Sequence, residues 1–240
     1  MSDKAQEQLF APGTSSREKY ASLIVGRPGL GALVKYELIV SIAQARAGAL
    51  GLALRQKLYP MLLGSCGRNV VFGQNVVLRH PHKIRVGSNV VVDDNCLLDA
   101  KGAANGGIRI GDGVFIGRNT ILSCKDGDID LADGANIGFN CELFSASRVT
   151  IGRDVLMAAY TYVIGGDHDF SDPSAPVLAQ SRTSAGVSIG DGVWLGAGAK
   201  ILDGVRIGEH AVIGAGAVVR DDVPARGIAV GIPARVVSTR

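Results

Sequence analysis

Aliphatic side chains recur at every sixth position through the last third of the chain, at Ile189, Leu195, Ile201, Ile207, Ile213 and Val219. A small or branched residue stands four places after each of the first five, at Val193, Ala199, Val205, Ala211 and Ala217, and glycine follows directly at Gly190, Gly196, Gly208 and Gly214. On a helix of 3.6 residues per turn such positions would walk around the axis, whereas a short strand plus a turn returns them to one inward line. The pattern predicts a parallel β-helix, in which three hexads close a triangular coil and successive coils stack about 4.8 Å apart. Asp191-Gly192, Asp203-Gly204 and Gly216 supply corners, where positive φ and close backbone approach favour a residue without Cβ.

The same reading extends backwards through Phe72-Gly73 and Leu78, then Val86, Val92 and Leu98, then Ile110, Ile116 and Leu122, then Leu131, Ile137 and Leu143, then Ile151, Met157 and Val163. Between these sets the register slips by a few residues, which reads as loops budding from corners. One interruption is far longer: 22 residues, 165–186, between Val163 and Ile189. Its Gly165-Gly166, Pro173 and Pro176 exclude a coil face, and a loop of this length inside a compact repeat is functional or disordered.

Upstream the pattern changes. Residues 1–28 are polar, broken by Pro12, Gly13 and Pro28, and read as a loosely ordered tail. Residues 29–65 read as an amphipathic helical segment in which Glu37, Ser41, Gln44, Gly48, Gly51 and Arg55 form a narrow polar or small stripe, with Lys35, Arg46 and Lys57 opposite and mostly apolar residues between. Gly48 and Gly51 weaken helix propensity and divide it, and Pro60 and Gly64 close it. The β-helix then occupies 66–240. No charge-free run reaches the 18 or so residues of a membrane span, because Arg46 splits the stretch. Two readings remain for 30–64: a cap over the first coil, or an interfacial helix whose long basic side chains snorkel at a membrane surface.

A hydrophobic content of 47% suffices for a large core, and a net charge of +3 with no basic run or aromatic-basic stripe excludes nucleic acid as a partner. Cys66, Cys96, Cys124 and Cys141 show no CxxC spacing, and the polar start reads as no cleavable signal peptide, so the expectation is reduced thiols and a cytoplasmic protein, with possible peripheral contact at the inner face of the cytoplasmic membrane. Cys96 and Cys141 fall at the small inward position of a hexad, four places after Val92 and Ile137. His168 stands in the long interruption between Asp167 and Asp169, while His80, His82 and His210 fall at corners. Histidine suits general-base work near neutral pH, and a neighbouring carboxylate can hold the ring. A zinc site needs convergent histidines with an open position, and these lie on separate coils, so no metal is expected.

The hexads from about Asn69 to Val237 resemble the hexapeptide-repeat acyltransferases, in particular sugar and polysaccharide O-acetyltransferases of the maltose and galactoside type. The resemblance implies a left-handed coil and a homotrimer with a coenzyme groove between neighbouring subunits. It also implies acetyl-CoA as acyl donor and a loop histidine, here His168 with Asp167 and Asp169, as general base. By the same resemblance Trp194 packs on the pantetheine arm, or lines a subunit interface, and Ala197 and Ala215 offer backbone groups to the pantetheine amides. Arg235 approaches the coenzyme phosphates, and Arg220-Asp221 stands where the family carries Thr-Lys, so Arg220 takes over phosphate binding. On the acceptor side Gly138 and Ala146 replace the family's sugar-binding Asn and Asp, leaving Asn140, Glu142 and Ser145 as polar candidates and Tyr160 and Tyr162 as stacking ones. The expected activity is O-acetylation of a cell-envelope saccharide or saccharide precursor. The alternatives are N-acetylation of a nucleotide-linked amino sugar and a non-catalytic scaffold, though a scaffold needs neither the long loop nor the Trp and Arg set.

Overall fold

The computed structural model describes residues 13–240, and these form a β-solenoid of about eight turns under an N-terminal helical layer. Three parallel sheets of seven, nine and seven strands make its faces. The first face runs from Ser65–Cys66 to Arg206–Ile207 and the third from Val77–Arg79 to Val218–Val219. The second begins at Val71–Phe72 and is closed by an antiparallel pair, Gly227–Gly231 with Ala234–Thr239. The hexad aliphatics point inward as the sequence requires: Leu98, Ile116, Leu122, Ile137, Leu143, Met157, Val163, Leu195 and Ile201 are fully buried. Cys96 and Cys141 lie in the same column, and burial pushes the Cys96 thiol up to about 11, so these sulfurs are packing atoms rather than nucleophiles.

The coils differ in length. Ser188 pairs with Arg206, 18 residues on, which is three hexads without an insertion. Earlier steps are longer, from Ser65 to Arg85 and from Ile84 to Ile108, and the longest is from Val149 to Val187. The late corners use glycine, with Gly192, Gly204 and Gly216 at positive φ, but the early ones use asparagine, at Asn69, Asn75, Asn89, Asn95, Asn119 and Asn140. Asparagine tolerates the left-handed region and its amide can pair with the corner above. Asn69 donates to Asn89 at 3.0 Å and Asn75 to Asn95 at 3.2 Å.

The helical segment is two helices, α2 (Leu30–Ala43) and α3 (Gly48–Leu58), preceded by α1 (Ser16–Tyr20) and a π-helical turn, Ala21–Val25. The tail expected over residues 1–28 is therefore structured in its second half, because Ser15 and Glu18 form a reciprocal capping box: Glu18 N–H donates to Ser15 Oγ, and Ser15 N–H to the Glu18 carboxylate. The remainder of that expected tail, residues 1–12, lies outside the described residues. The break at 44–47 also prevents the stripe from Glu37 to Arg55 from running along one helix. Arg55, read as part of a polar stripe, is buried and clamps the layer to the first coil, donating to the carbonyls of Phe72, Ala43 and Arg46. His80 donates its N–H to Ile24 O at 2.7 Å, and its ring lies against Gly26, where any Cβ would collide with it. His80 and His82 thus serve the packing of this layer, and burial lowers both pKa values, that of His82 to about 4.

Candidate active site

The long interruption leaves the third face after Tyr162–Gly165 and rejoins the first at Val187–Ile189. It departs through two glycines because neither position has room for a side chain: a Cβ on Gly165 would meet Val149 at 2.8 Å, and one on Gly166 would meet Ala146 at 2.7 Å. It is a hairpin rather than an irregular loop. Asp167–His168 pairs antiparallel with Arg182–Thr183, and Ser184 Oγ donates to Gly165 O at 2.8 Å to pin the root.

His168 lines a cleft of about 70 Å³ whose other walls include Lys125, Phe144, Ser145, Ala146 and Arg182. The ring is half-buried on the cleft wall, and its Nδ1 is enclosed with no hydrogen-bond partner in the protein. Asp167 and Asp169 do not orient this imidazole. Successive side chains of a strand point to opposite faces, so carboxylates one residue either side turn away from the ring between them. Asp167 accepts from the His168 backbone N–H at 2.7 Å, and Asp169 accepts from Ser171 N–H at 2.9 Å and from Ser181 Oγ, bonds that hold its carboxyl below the usual range. They stabilise the hairpin.

Lys125, Phe144 and Arg182 were not singled out by the sequence reading. Lys125 lies one coil below Ala146, its backbone N–H donating to Ser145 O at 2.7 Å, and its ammonium sits 5.3 Å from the centre of the Phe144 ring. Arg182 arrives from the opposite hairpin strand, across from His168. The available signal was stacking arithmetic, since Cys124 pairs with Ser145, but the unequal coil steps hide it.

Of the acceptor candidates only Ser145 shares the cleft, buried with its Oγ donating to Asp128 O at 2.7 Å. Glu142 is half-buried on the third face. Asn140 and Tyr160 occupy a different edge, the corner between second and third faces, with φ of 54° and 61°. Tyr160 is exposed there and edge-on to Phe139 at 5.9 Å. Ala197 and Ala215 continue this edge: Gly198 N–H donates to Ala159 O and Gly216 N–H to Ala197 O. Trp194, half exposed, stands on the adjoining second face between Leu156 and Val212. Arg220 and Arg235 meet on one carboxylate, that of Asp221, at 3.6 and 3.0 Å. In a single chain the His168 cleft and the Trp194, Ala197 and Ala215 surface therefore lie on different edges of the prism. Among the described residues no group of three or more His, Cys, Asp or Glu gathers as a metal site.

Residues 186–221 match the family model described as bacterial transferase hexapeptide (six repeats). WbbJ of Escherichia coli strain K12, named as a lipopolysaccharide biosynthesis O-acetyl transferase, is 30% identical over 149 residues, covering 59% of this chain and 74% of its own. The dTDP-4-amino-4,6-dideoxy-D-glucose acyltransferase of Escherichia coli is 30% identical over 176 residues, covering 73% and 82%. The chain is a hexapeptide-repeat acyltransferase. Among solved structures, a variant of AntD, an N-acyltransferase from Bacillus cereus in complex with dTDP and coenzyme A, superposes on this acyltransferase with a TM-score of 0.55 and 26% identity, over 78% of this chain and 89% of that one. A probable acetyltransferase of Mycobacterium tuberculosis, Rv3034c, is 34% identical over 133 residues, and the match spans only 44% of its length.

Proposed function

We propose that this acyltransferase moves an acetyl group from acetyl-CoA to a hydroxyl of a cell-envelope saccharide or saccharide precursor, with His168 as general base. The observation that carries the reading is the half-buried His168 imidazole, presented by a pinned hairpin on the wall of a cleft that Lys125 and Arg182 also line. The acceptor O–H loses its proton to the ring as its oxygen attacks the thioester carbonyl. The tetrahedral intermediate collapses with C–S cleavage, and the leaving thiolate takes that proton, giving the acetyl ester and free coenzyme A.

Two further features fit. Coenzyme A is present in the related AntD complex, and Trp194, Ala197, Ala215, Arg220 and Arg235 offer this chain an aromatic surface, corner backbone and cations for the same coenzyme. Since that surface and His168 lie on different edges, a complete site requires two copies, which supports a homotrimer with the groove between subunits. Lys125 and Arg182 line the cleft where sugar acetyltransferases carry the Asp replaced by Ala146, which favours an acceptor bearing phosphate, as nucleotide- or lipid-linked saccharides do.

N-acylation of a nucleotide-linked amino sugar is the second reading. It is favoured by the relatives named for dTDP-sugar and N-acyl chemistry. The test is thiol release from acetyl-CoA against panels of neutral sugars, nucleotide sugars and nucleotide amino sugars. His168→Asn is expected to lower turnover by about 10²–10⁴ with unchanged thermal stability. Unchanged turnover would remove His168 from the mechanism, and acylation confined to amines would select the second reading.

A further inference from the structure

Helix α2 buries one side and leaves an apolar opposite side bare. Tyr36, Ile39 and Ala43 face the solenoid, with Tyr36 Oη donating to Leu78 O at 2.9 Å. Leu30, Val34, Leu38 and Ile42, spaced by four, are 64%, 45%, 58% and 45% exposed. Such a stripe is about 18 Å long at 1.5 Å per residue. Leu50 on α3 and Met61 after it add exposed apolar surface to the same layer. Water-exposed proteins rarely keep contiguous apolar surface of this kind without a partner.

The charge of this end separates the possible partners. The helical layer, residues 13–64, holds seven Lys and Arg against two acids, Glu18 and Glu37, whereas residues 65–240 hold 17 against 18. Glu37 is half-buried and accepts from Tyr20 Oη at 2.6 Å, while Arg27, Lys35, Arg46 and Lys57 are all exposed. The mild overall charge of +3 thus conceals a basic helical end on a nearly neutral solenoid. Two copies meeting through this face would bring like charges together. An anionic surface would be attracted, and apolar residues rimmed by long basic side chains are the composition of interfacial helices. No helix among the described residues is long and apolar enough to cross a membrane.

We infer that the α2 face docks on the surface of an anionic phospholipid bilayer, lying in the interface with Leu30, Val34, Leu38 and Ile42 toward the acyl chains and the four exposed cations among the headgroups. The inference rests on this face alone and stands whether or not the reaction proposed above is right.

The experiment is flotation of the full chain with phosphatidylcholine vesicles and with phosphatidylcholine/phosphatidylglycerol vesicles. Wild type should float at least about tenfold more with the anionic mixture and lose most of that binding in high salt. Leu38→Gln with Ile42→Gln should abolish flotation without changing circular dichroism or thermal stability, as both side chains are exposed. Arg46→Gln with Lys57→Gln should weaken it several-fold while leaving the apolar stripe intact. Wild type remaining in the soluble fraction with both vesicles would overturn the inference, as would undiminished flotation of the Leu38/Ile42 variant. If that variant instead falls to a smaller assembly in light scattering, a second copy covers the face and the membrane assignment is wrong.

Discussion

The coils from Ile189 to Val219 and the hairpin that precedes them are neighbours in the chain built on opposite rules. In the coils every inward side chain is buried and the strands pair with the coils above and below, save Arg206–Ile207 and Val218–Val219, which end their sheets. In the hairpin Phe170 and Leu178 are more than 70% exposed, one two-residue strand pair makes the only sheet, and turns are held by Asp169 and Asp172 accepting from nearby serines. The coil can lose its hairpin tip without losing its core, whereas the hairpin borrows its root from Ser147, Gly165 and Val149. Stability thereby resides in the coils, and the histidine proposed as base stands on the separable hairpin.

That separation has consequences in both directions. Beside the loss already expected for His168→Asn, the largest effect belongs to the coil. Ile201→Ala, at a fully buried position, should destabilise the fold by about 2–5 kcal/mol, read as a lower midpoint in urea. Leu178→Ala at the hairpin tip should cost under about 0.5 kcal/mol. Equal losses at the two sites would erase the distinction. Next comes Lys125→Ala, which should raise KM for phosphate-bearing acceptors by about tenfold, one charged contact of about 1.4 kcal/mol, and leave KM for neutral sugars and for acetyl-CoA unchanged. A uniform change across acceptors would take Lys125 out of specificity.

A separate effect is acid sensitivity at the helical end. The His82 pKa is lowered from its ordinary 6.5 to about 4, chiefly by burial, with Arg27 and His80 adding repulsion. Below 6.5 the unfolded chain binds a proton that the folded chain does not, so stability falls as pH drops from 6.5 toward 4 and levels off beneath. His82→Asn should flatten thermal stability over that window, and an unaltered slope would place the acid sensitivity elsewhere.

What could be read from the sequence follows the same division. The inward column was legible because period six excludes a helix and needs no knowledge of neighbours. Asn corners were harder: Asn69 and Asn89 pair across a coil whose length is not a multiple of six. The Ser15–Glu18 box is a local signal, overlooked because Pro12, Gly13 and Pro28 made the region read as broken. The place of His168 in the interruption could be read directly, and the hairpin sets it on the cleft wall. The roles of Asp167 and Asp169 could not be read, since only a hairpin strand dictates that adjacent side chains diverge. Lys125 reaches His168 through stacking over unequal steps and Arg182 through the hairpin pairing, neither of which one-dimensional periodicity encodes.

The central claim is that the hairpin of one copy works on the coenzyme surface of another, and co-expression of two disabled chains tests it. One chain carries His168→Asn; the other carries Ala215→Trp, which fills the exposed corner between the second and third faces. Each alone should be inactive in thiol release. Mixed assemblies isolated by two affinity tags should recover activity, because an interface that takes its histidine from the second chain and its coenzyme surface from the first is intact. Mixed assemblies as inactive as their parents would place the whole site within a single chain and contradict the account.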